Sequence, residues 1–198
     1  MNEAREFEDV GRHRVVDILW SRPELVELLT LVAGLGLPDA WIGAGLIRNA
    51  VWDAVSGGAT PQPASDVDVI FFDSSEGGRE RDLALETALL AIRPGLRWSV
   101  KNQSRMHERA GDPPYVDTRD AVSRWPEICT AVAARLAQDG IQVLAPHGVA
   151  DLLGLVVRPT PAFEGKLDVF EARVREKAWT ARWPGLTVIR SAAVRIRS

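Results

Sequence analysis

Apolar side chains recur at helical spacing in two parts of the chain and alternate with polar ones in a third. Within residues 23–33 leucines and a valine return every three or four positions, and residues 45–55 repeat this pattern after a short apolar stretch at 40–42. Such spacing places the apolar side chains on one face of a helix. The stretch SDVDVIFFD at 65–73 alternates instead, which predicts a half-buried strand. The predicted order is therefore helix, strand, helix, strand.

The remaining pattern predicts more helices and strands that alternate along the chain. We expect strands at 96–103 and 141–145, and helices over 79–92, 119–136, 149–156 and 166–182. No internal repeat and no convincing linker interrupts this order. The predicted fold class is α+β, a mixed sheet with helices on its faces and helical additions at both ends. We expect a single domain over 1–198, with its core at about 25–160 and a C-terminal helical extension at about 161–198.

Composition and charge exclude some classes of protein without selecting a function. Apolar residues make up 46% and charged residues 26%, which is typical of a globular protein. The net charge of −3 gives no strong signal for nucleic acid or for a membrane surface. The chain has no apolar run of about 18 residues and no secretory signal pattern, so we expect a soluble, cytoplasmic protein. The single cysteine, Cys129, excludes an intrachain disulfide and is predicted to lie in a helix core.

Asp66 and Asp68 stand two positions apart on the predicted strand at 65–73. Alternate side chains of a strand share a face, with their backbones roughly 6.6 Å apart. Two carboxylates this close can hold Mg²⁺ or Mn²⁺, because these cations take oxygen ligands and leave positions open for water and substrate phosphates. The alternative is a strand whose polar face meets solvent. The pattern alone leaves both interpretations open.

A turn of small residues, Gly43-Ala44-Gly45, opens the helix that precedes this strand. Glycine lets the backbone approach a ligand closely, and the free N–H groups of a helix start favour anions. Arg48 and Asn49 follow on the polar face of the same helix. The alternatives are a tight strand-to-helix connection and an ordinary solvated helix face.

The order of these elements resembles the nucleotidyltransferase superfamily that shares the DNA polymerase β palm. Its signature is a glycine-rich turn, a helix and then an Asp-x-Asp strand. The stretches WIGAGLIRNAVWD, SDVDVIFFD, WSVKNQSRMH and KAWTARWPGL also resemble a bacterial branch of nucleotidyltransferase family proteins, and the likeness runs from about residue 25 to 188. The resemblance implies Mg²⁺-dependent transfer of a nucleoside monophosphate from a nucleoside triphosphate to an acceptor hydroxyl.

Carried onto this sequence, the resemblance implies that Asp66 and Asp68 bind the metal and are catalytic. The triphosphate is expected beside the small-residue turn and a cluster of donors on the later strand. The expected nucleotide-binding residues are Gly43, Ala44, Gly45, Arg48, Asn49, Lys101, Asn102 and Arg105. The resemblance leaves open which triphosphate is used and whether the acceptor is a small molecule, a protein or RNA. A membrane is not expected as a partner, because the sequence has no apolar run long enough to span one.

Two departures from the superfamily pattern favour an alternative function. Ala44 stands where glycine or serine is common, and Lys101 and Asn102 occupy the strand where a third carboxylate is expected. Without a third carboxylate, the remaining candidates for the general base are Asp73, which is poorly placed, His107 and Glu108. The alternative is therefore an inactive nucleotide-binding or regulatory module. A dinucleotide-binding turn is a weaker alternative, because Arg48 fills the third small position of its motif.

The chain is locally basic after Glu176. Lys177, Arg182 and Arg190 follow without an intervening acid. Such an end is typical of a solvated terminus, and contact with RNA is the alternative. Trp179 and Trp183 lie in the same segment and are predicted to anchor helix packing.

Overall fold

The computed structural model describes residues 3–57, 65–75 and 78–191. Its helices are α1 (Glu3–Trp20), α2 (Pro23–Ala33), α3 (Gly45–Val55), α4 (Glu80–Ile92), α5 (Met106–Ala110), α6 (Thr118–Ser123), α7 (Ala150–Leu153), α8 (Leu167–Lys177) and α9 (Trp179–Arg182). Its strands are β1 (Trp41–Gly43), β2 (Asp66–Phe71), β3 (Arg97–Asn102), β4 (Ala133–Ala137), β5 (Gly140–Leu144), β6 (Val156–Val157) and β7 (Thr187–Val188). Short 3₁₀ turns lie at Gln103–Arg105 and Pro161–Lys166.

A five-stranded mixed sheet in the order β3-β2-β1-β4-β5 forms the centre of the fold. β2 and β3 run parallel, and the other neighbours in this sheet run antiparallel. β6 and β7 form a separate parallel pair. The register places Gly43 of β1 opposite Asp68 of β2, and Asp68 beside Ser99 of β3. The predicted α+β fold, with helices on the sheet and at both ends, is confirmed.

Alternation along β2 divides its side chains between two environments. Val67 and Val69 are fully buried in the main core, which also contains the apolar side chains of α2 and α3. Ile70 points to the opposite face and packs in a smaller cluster with residues of α6 and β4. Asp66 and Asp68 share that opposite face near the start of the strand, where the small cluster does not cover them. The alternating pattern therefore predicted correctly which β2 side chains enter the core.

The stretch 119–136 is not the single helix that its sequence predicts. α6 ends at Ser123, Cys129 lies buried in a turn, and residues from Ala133 onward form β4. Ala133 and Ala134 pair with β1 on one side and with β5 on the other. Strand pairing thus overrides the helix preference of alanine. Burial raises the pKa of the Cys129 thiol to about 12.

The predicted C-terminal helices are shorter in the structure. α7 covers four residues of the expected 149–156, and the expected helix at 166–182 is divided into α8 and α9. The division falls at Ala178, whose φ of 45° is left-handed and cannot continue a helix. Trp179 and Trp183 are both buried, as predicted.

The main core draws side chains from Val15 in α1 to Leu186 near the C-terminus. The limits expected for the single domain, its core and its extension stay a prediction. Within the described ranges, no helix combines the length and apolar character needed to cross a membrane.

Candidate active site

A cavity of about 1010 Å³ lies between the polar face of β2, the start of α3, and helices α2, α8 and α9. Ala44 and Gly45 of the small-residue turn line it together with Asp66 and Asp68. Its basic lining residues are Arg22, Arg48, Arg97, Arg173, Lys177 and Arg182. These six cations outnumber the four acidic residues of the described lining, so the cavity favours an anionic ligand.

Asp66 and Asp68 face the same cavity but lie in different electrostatic environments. Asp66 is half exposed, and Arg97 donates to both of its carboxylate oxygens, from Nε to Oδ1 and from Nη2 to Oδ2 at 2.8 Å. These hydrogen bonds from Arg97 lower the pKa of Asp66. Burial raises the pKa of Asp68, and a hydrogen bond from Ser99 opposes this only in part. Two neighbouring carboxylates therefore have pKa values displaced in opposite directions.

The donor set of this pair fits a hard divalent cation. Asp66 and Asp68 supply carboxylate oxygens from one face of a strand, the kind of ligand that Mg²⁺ takes. A cation would also offset the cost of ionising the half-buried Asp68. Across residues 3–57, 65–75 and 78–191, no three or more His, Cys, Asp or Glu side chains form a self-contained metal site. A cation held here would therefore take its other ligands from substrate and water.

The turn before α3 is held in an unusual backbone conformation. Ala44 has φ 54° and ψ −123°, a region that glycine occupies readily and that costs other residues about 1–3 kcal/mol. Its N–H donates to the carbonyl of Val132 at 2.9 Å, and its carbonyl accepts from the N–H of Arg48 at 3.0 Å. No side chain caps the start of α3. The first N–H groups of this helix are therefore available to a ligand in the cavity.

The two glycines of this turn have different surroundings. A Cβ on Gly43 would lie 2.7 Å from Cη2 of Trp125, so glycine is needed there for the indole to pack against β1. A Cβ on Gly45 would meet only Nη2 of Arg48, at 3.8 Å, because this position opens into the cavity. Gly43 was expected to border the triphosphate, but the structure places it under Trp125 and outside the cavity lining. Gly45 lies in the cavity lining, and its contact with the triphosphate stays a prediction.

Arg48 is a buried cation at the edge of the cavity, only 7% exposed. Its guanidinium packs against two indoles, 4.9 Å from the ring centre of Trp52 and 4.7 Å from that of Trp179. Nη1 donates to the hydroxyl of Thr130 and Nη2 to the side-chain oxygen of Asn49, both at 2.9 Å. Nε is buried without a hydrogen-bond partner, and burial lowers the pKa of Arg48. A buried guanidinium whose hydrogen bonds go to neutral oxygens favours a bound anion nearby.

Besides Gly43, three more of the predicted nucleotide-binding residues lie outside this cavity. Lys101 pairs with Glu86 at 2.9 Å, and Arg105 pairs with Asp82. The side chain of Asn102 holds the backbone that follows β2, donating to the carbonyl of Asp73 at 2.8 Å. These side chains therefore fix the far end of β3 against its neighbours. The structure does not bring them together with Asp66 and Asp68.

The register of β3 explains this difference. β2 and β3 are parallel, so Arg97 lies beside Asp66 and Ser99 beside Asp68, whereas Lys101 is level with Ile70. A third carboxylate on β3 would have to stand level with the two aspartates to reach the cavity. The β3 residues at that level are Arg97 and Ser99, and neither is an acid. The other proposed bases also lie outside the described lining; they are Asp73, His107 and Glu108.

The structure adds a group of basic residues that the sequence did not assign to the site. Arg182 donates to both carboxylate oxygens of Asp53 at 2.9 Å, and Trp183 Nε1 donates to the same carboxylate at 3.0 Å. Arg173 pairs with the fully buried Glu127 at 2.7 Å. α8 and α9 thereby form a wall of the cavity instead of a solvated end. The spacing of the two tryptophans in KAWTARWPGL, four positions apart, is the signal that indicates a packed face here.

Comparison with known proteins identifies the family of the chain. A family model described as Nucleotidyltransferase matches residues 30–188. Comparison with curated proteins gave no match. An NMR structure of a CCA-adding enzyme head domain is 34% identical with a TM-score of 0.80, over 90% of this chain and 96% of that one.

Complexes of CCA-adding enzymes share the fold at lower identity. The Thermotoga maritima enzyme complexed with tRNA is 14% identical with a TM-score of 0.58, and the match covers 89% of this chain and 42% of that one. A CCA-adding enzyme in complex with CTP is 16% identical with a TM-score of 0.56, over 88% and 43%. The chain thus spans less than half the length of these two enzymes. The family model covers most of the chain, and the chain therefore belongs to the nucleotidyltransferase family, with the DNA polymerase β-like nucleotidyltransferase fold.

Proposed function

We propose that this protein transfers a nucleoside monophosphate from a nucleoside triphosphate to an acceptor hydroxyl, with Mg²⁺ or Mn²⁺ as cofactor. The observation that carries the proposal is the meeting of two features in one cavity. Asp66 and Asp68 form its acidic side, and the uncapped start of α3 with Arg48 forms its basic side. A metal-bound triphosphate needs both kinds of group side by side.

The residues of the cavity divide the binding between them. Asp66 and Asp68 would hold the cation, which when bound neutralises phosphate charge and helps to stabilise the attacking and leaving oxygens. The N–H groups at Gly45 and the next residues of α3 would bind phosphate oxygens. Arg48 would add a fixed positive charge, since two indoles and Asn49 hold its guanidinium in place.

The transfer exchanges one bond to phosphorus for another. The acceptor oxygen forms a bond to the α-phosphorus as the bond from that phosphorus to the bridging oxygen breaks, and pyrophosphate leaves with the electron pair. The hydroxyl proton passes to water. The cavity positions the triphosphate and stabilises its charge, which accounts for most of catalysis in phosphoryl transfer.

Arg97 donates one hydrogen bond to each carboxylate oxygen of Asp66 and therefore competes with a cation for that carboxylate. Side-chain exposure of the two residues is 77% and 56%, so the ion pair is solvated. Pairs of this kind contribute about 0–1 kcal/mol, which is small compared with the attraction of a carboxylate for a dication. Opening this pair is therefore a small cost of loading the site.

The relatives indicate which substrates to test first. CCA-adding enzymes have been solved with CTP and with ATP, and others with tRNA. We propose ATP or CTP as the donor and a hydroxyl of RNA as the first acceptor to test. The net charge of −3 gives no independent support for RNA.

A transfer assay tests the proposal. The protein is incubated with Mg²⁺ or Mn²⁺, α-labelled ATP or CTP, and either tRNA or a fractionated cell extract. We expect label to move to an acceptor, and Asp66→Asn or Asp68→Asn to abolish the transfer. Asp168→Asn is the matched control, because this exposed aspartate of α8 lies outside the cavity lining. Equal transfer by the wild type and the two site variants would contradict the proposal.

A second candidate is a nucleotide-binding module without transferase activity. It is favoured by β3, which places Arg97 and Ser99 beside the aspartates where an acid is expected. This module would be stabilised against heat by Mg²⁺ and ATP or CTP, and would transfer no label to any fraction.

A further inference from the structure

We propose that Lys177, the last residue of α8, is a phosphate-contacting residue of this site. Its ammonium group would bind the β- and γ-phosphates of the triphosphate and the pyrophosphate that leaves. This inference rests on the proposed function and adds to it a substrate contact made by the C-terminal helices.

The first observation is the position of Lys177. It lines the same cavity as Asp66, Asp68 and the start of α3. A triphosphate bound between the two aspartates and the start of α3 would therefore share this cavity with the ammonium group of Lys177.

The second observation is that Lys177 is less constrained than Arg173 and Arg182, the other cations that α8 and α9 contribute to the cavity. Arg173 is held by the buried Glu127, and Arg182 by the buried Asp53. Lys177 pairs with its chain neighbour Glu176 at 3.6 Å, and the two side chains are 46% and 71% exposed. A solvated pair of this kind is weak, so the ammonium group can turn to a more highly charged anion.

The third observation is that the backbone which carries Lys177 is fixed. α8 ends at the left-handed Ala178, and the next residue, Trp179, is buried against Trp52 with ring centres 5.9 Å apart. The guanidinium of Arg48 also packs on the Trp179 ring, 4.7 Å from its centre. A mobile ammonium group on a fixed backbone suits a phosphate that changes position as pyrophosphate leaves.

Binding measurements with three probes test the assignment. Isothermal calorimetry with Mg²⁺ compares ATP, inorganic tripolyphosphate and AMP for the wild type, Lys177→Gln and Lys177→Arg. We expect Lys177→Gln to weaken ATP and tripolyphosphate binding by the same factor, roughly 5- to 30-fold, and to leave AMP unchanged. Lys177→Arg should restore most of the loss, because it keeps the charge.

Arg175→Gln is the matched control. It removes a positive charge from the same last turn of α8, and its exposed side chain lies outside the cavity lining. We expect it to bind all three probes like the wild type. An equal loss in Lys177→Gln and Arg175→Gln would show a general charge effect and overturn the assignment.

The remaining outcomes separate this assignment from the proposed function. If Lys177→Gln binds ATP like the wild type while Asp68→Asn loses Mg²⁺-dependent ATP binding, the Lys177 assignment is wrong and the function stands. If Lys177→Gln weakens AMP as much as ATP, the assignment to the β- and γ-phosphates is also wrong. If the wild type binds neither ATP nor CTP, both the Lys177 assignment and the proposed function are wrong.

Discussion

Alanine substitution of the two glycines before α3 should separate stability from ligand binding. In Gly43→Ala the new methyl group would lie 2.7 Å from Cη2 and 3.3 Å from Cζ3 of Trp125, well inside contact distance. Trp125 packs against the cluster formed by Trp41 and Ile70, so the indole cannot move away freely. Overpacking of this kind costs about 1–3 kcal/mol of the free energy of unfolding.

Gly45→Ala is the matched comparison. The same methyl group there meets no atom nearer than 3.8 Å, and alanine favours a helix over glycine by up to about 1 kcal/mol. We therefore expect unchanged or slightly higher stability. The methyl group would, however, stand between the backbone of α3 and a bound phosphate, and we expect ATP affinity to fall by about tenfold or more.

Urea denaturation and ATP calorimetry with Mg²⁺ measure the two effects separately. We expect Gly43→Ala to unfold at a lower urea concentration than the wild type. At temperatures where it remains folded, it should bind ATP normally. An unfolding free energy for Gly43→Ala equal to that of the wild type would refute the packing argument. Normal ATP binding by Gly45→Ala would refute the placement of phosphate at the start of α3.

Three further substitutions test the surroundings of the site. Asp53→Ala leaves Arg182 and Trp183 without their acceptor and should lower the unfolding free energy by about 2–3 kcal/mol in urea, whereas Asp168→Ala should change it little. Ala44→Gly relieves a positive φ and should raise that free energy by about 0.5–1 kcal/mol; a decrease would show that the turn is not strained. Burial raises the pKa of Asp68, so the folded state binds its proton more tightly and this group lowers stability as pH rises from the unfolded pKa through the folded one. Asp68→Asn should therefore unfold at a higher temperature than the wild type at neutral pH, with the advantage shrinking in acid, and a constant advantage at all pH values would contradict this.

Sequence periodicity predicted the elements whose burial follows a regular pattern. α2, α3, β2 and β3 lie close to their predicted ranges, because each buries one face. α4 also lies close to its predicted range, but the side chains it buries are Asp82 and Leu89, which form no apolar face. The stretch 127–136 was predicted wrongly, since its alanines suit a helix but are paired between two strands. Such pairing depends on residues far away in the chain, and local spacing carries no signal of it.

The candidate site was predictable only where its residues lie close together in the sequence. Asp66, Asp68 and Gly45 meet in the cavity as their motifs suggest, and their functional roles stay a proposal. The sequence predicted β3 as a strand but could not predict its register against β2, and Lys101 was therefore grouped with these residues. Lys177 was missed because only tertiary packing brings α8 beside β2.

Mn²⁺ binding in the presence of a non-hydrolysable ATP analogue shows whether Asp66 and Asp68 hold the metal ion. We expect one Mn²⁺ site, seen by calorimetry or by the electron paramagnetic resonance signal of the ion. Asp66→Asn and Asp68→Asn should each weaken this site by about tenfold or more, and Asp168→Asn should leave it unchanged. Mn²⁺ binding that is equally strong in the two site variants and the wild type would contradict the assignment of the metal site to Asp66 and Asp68.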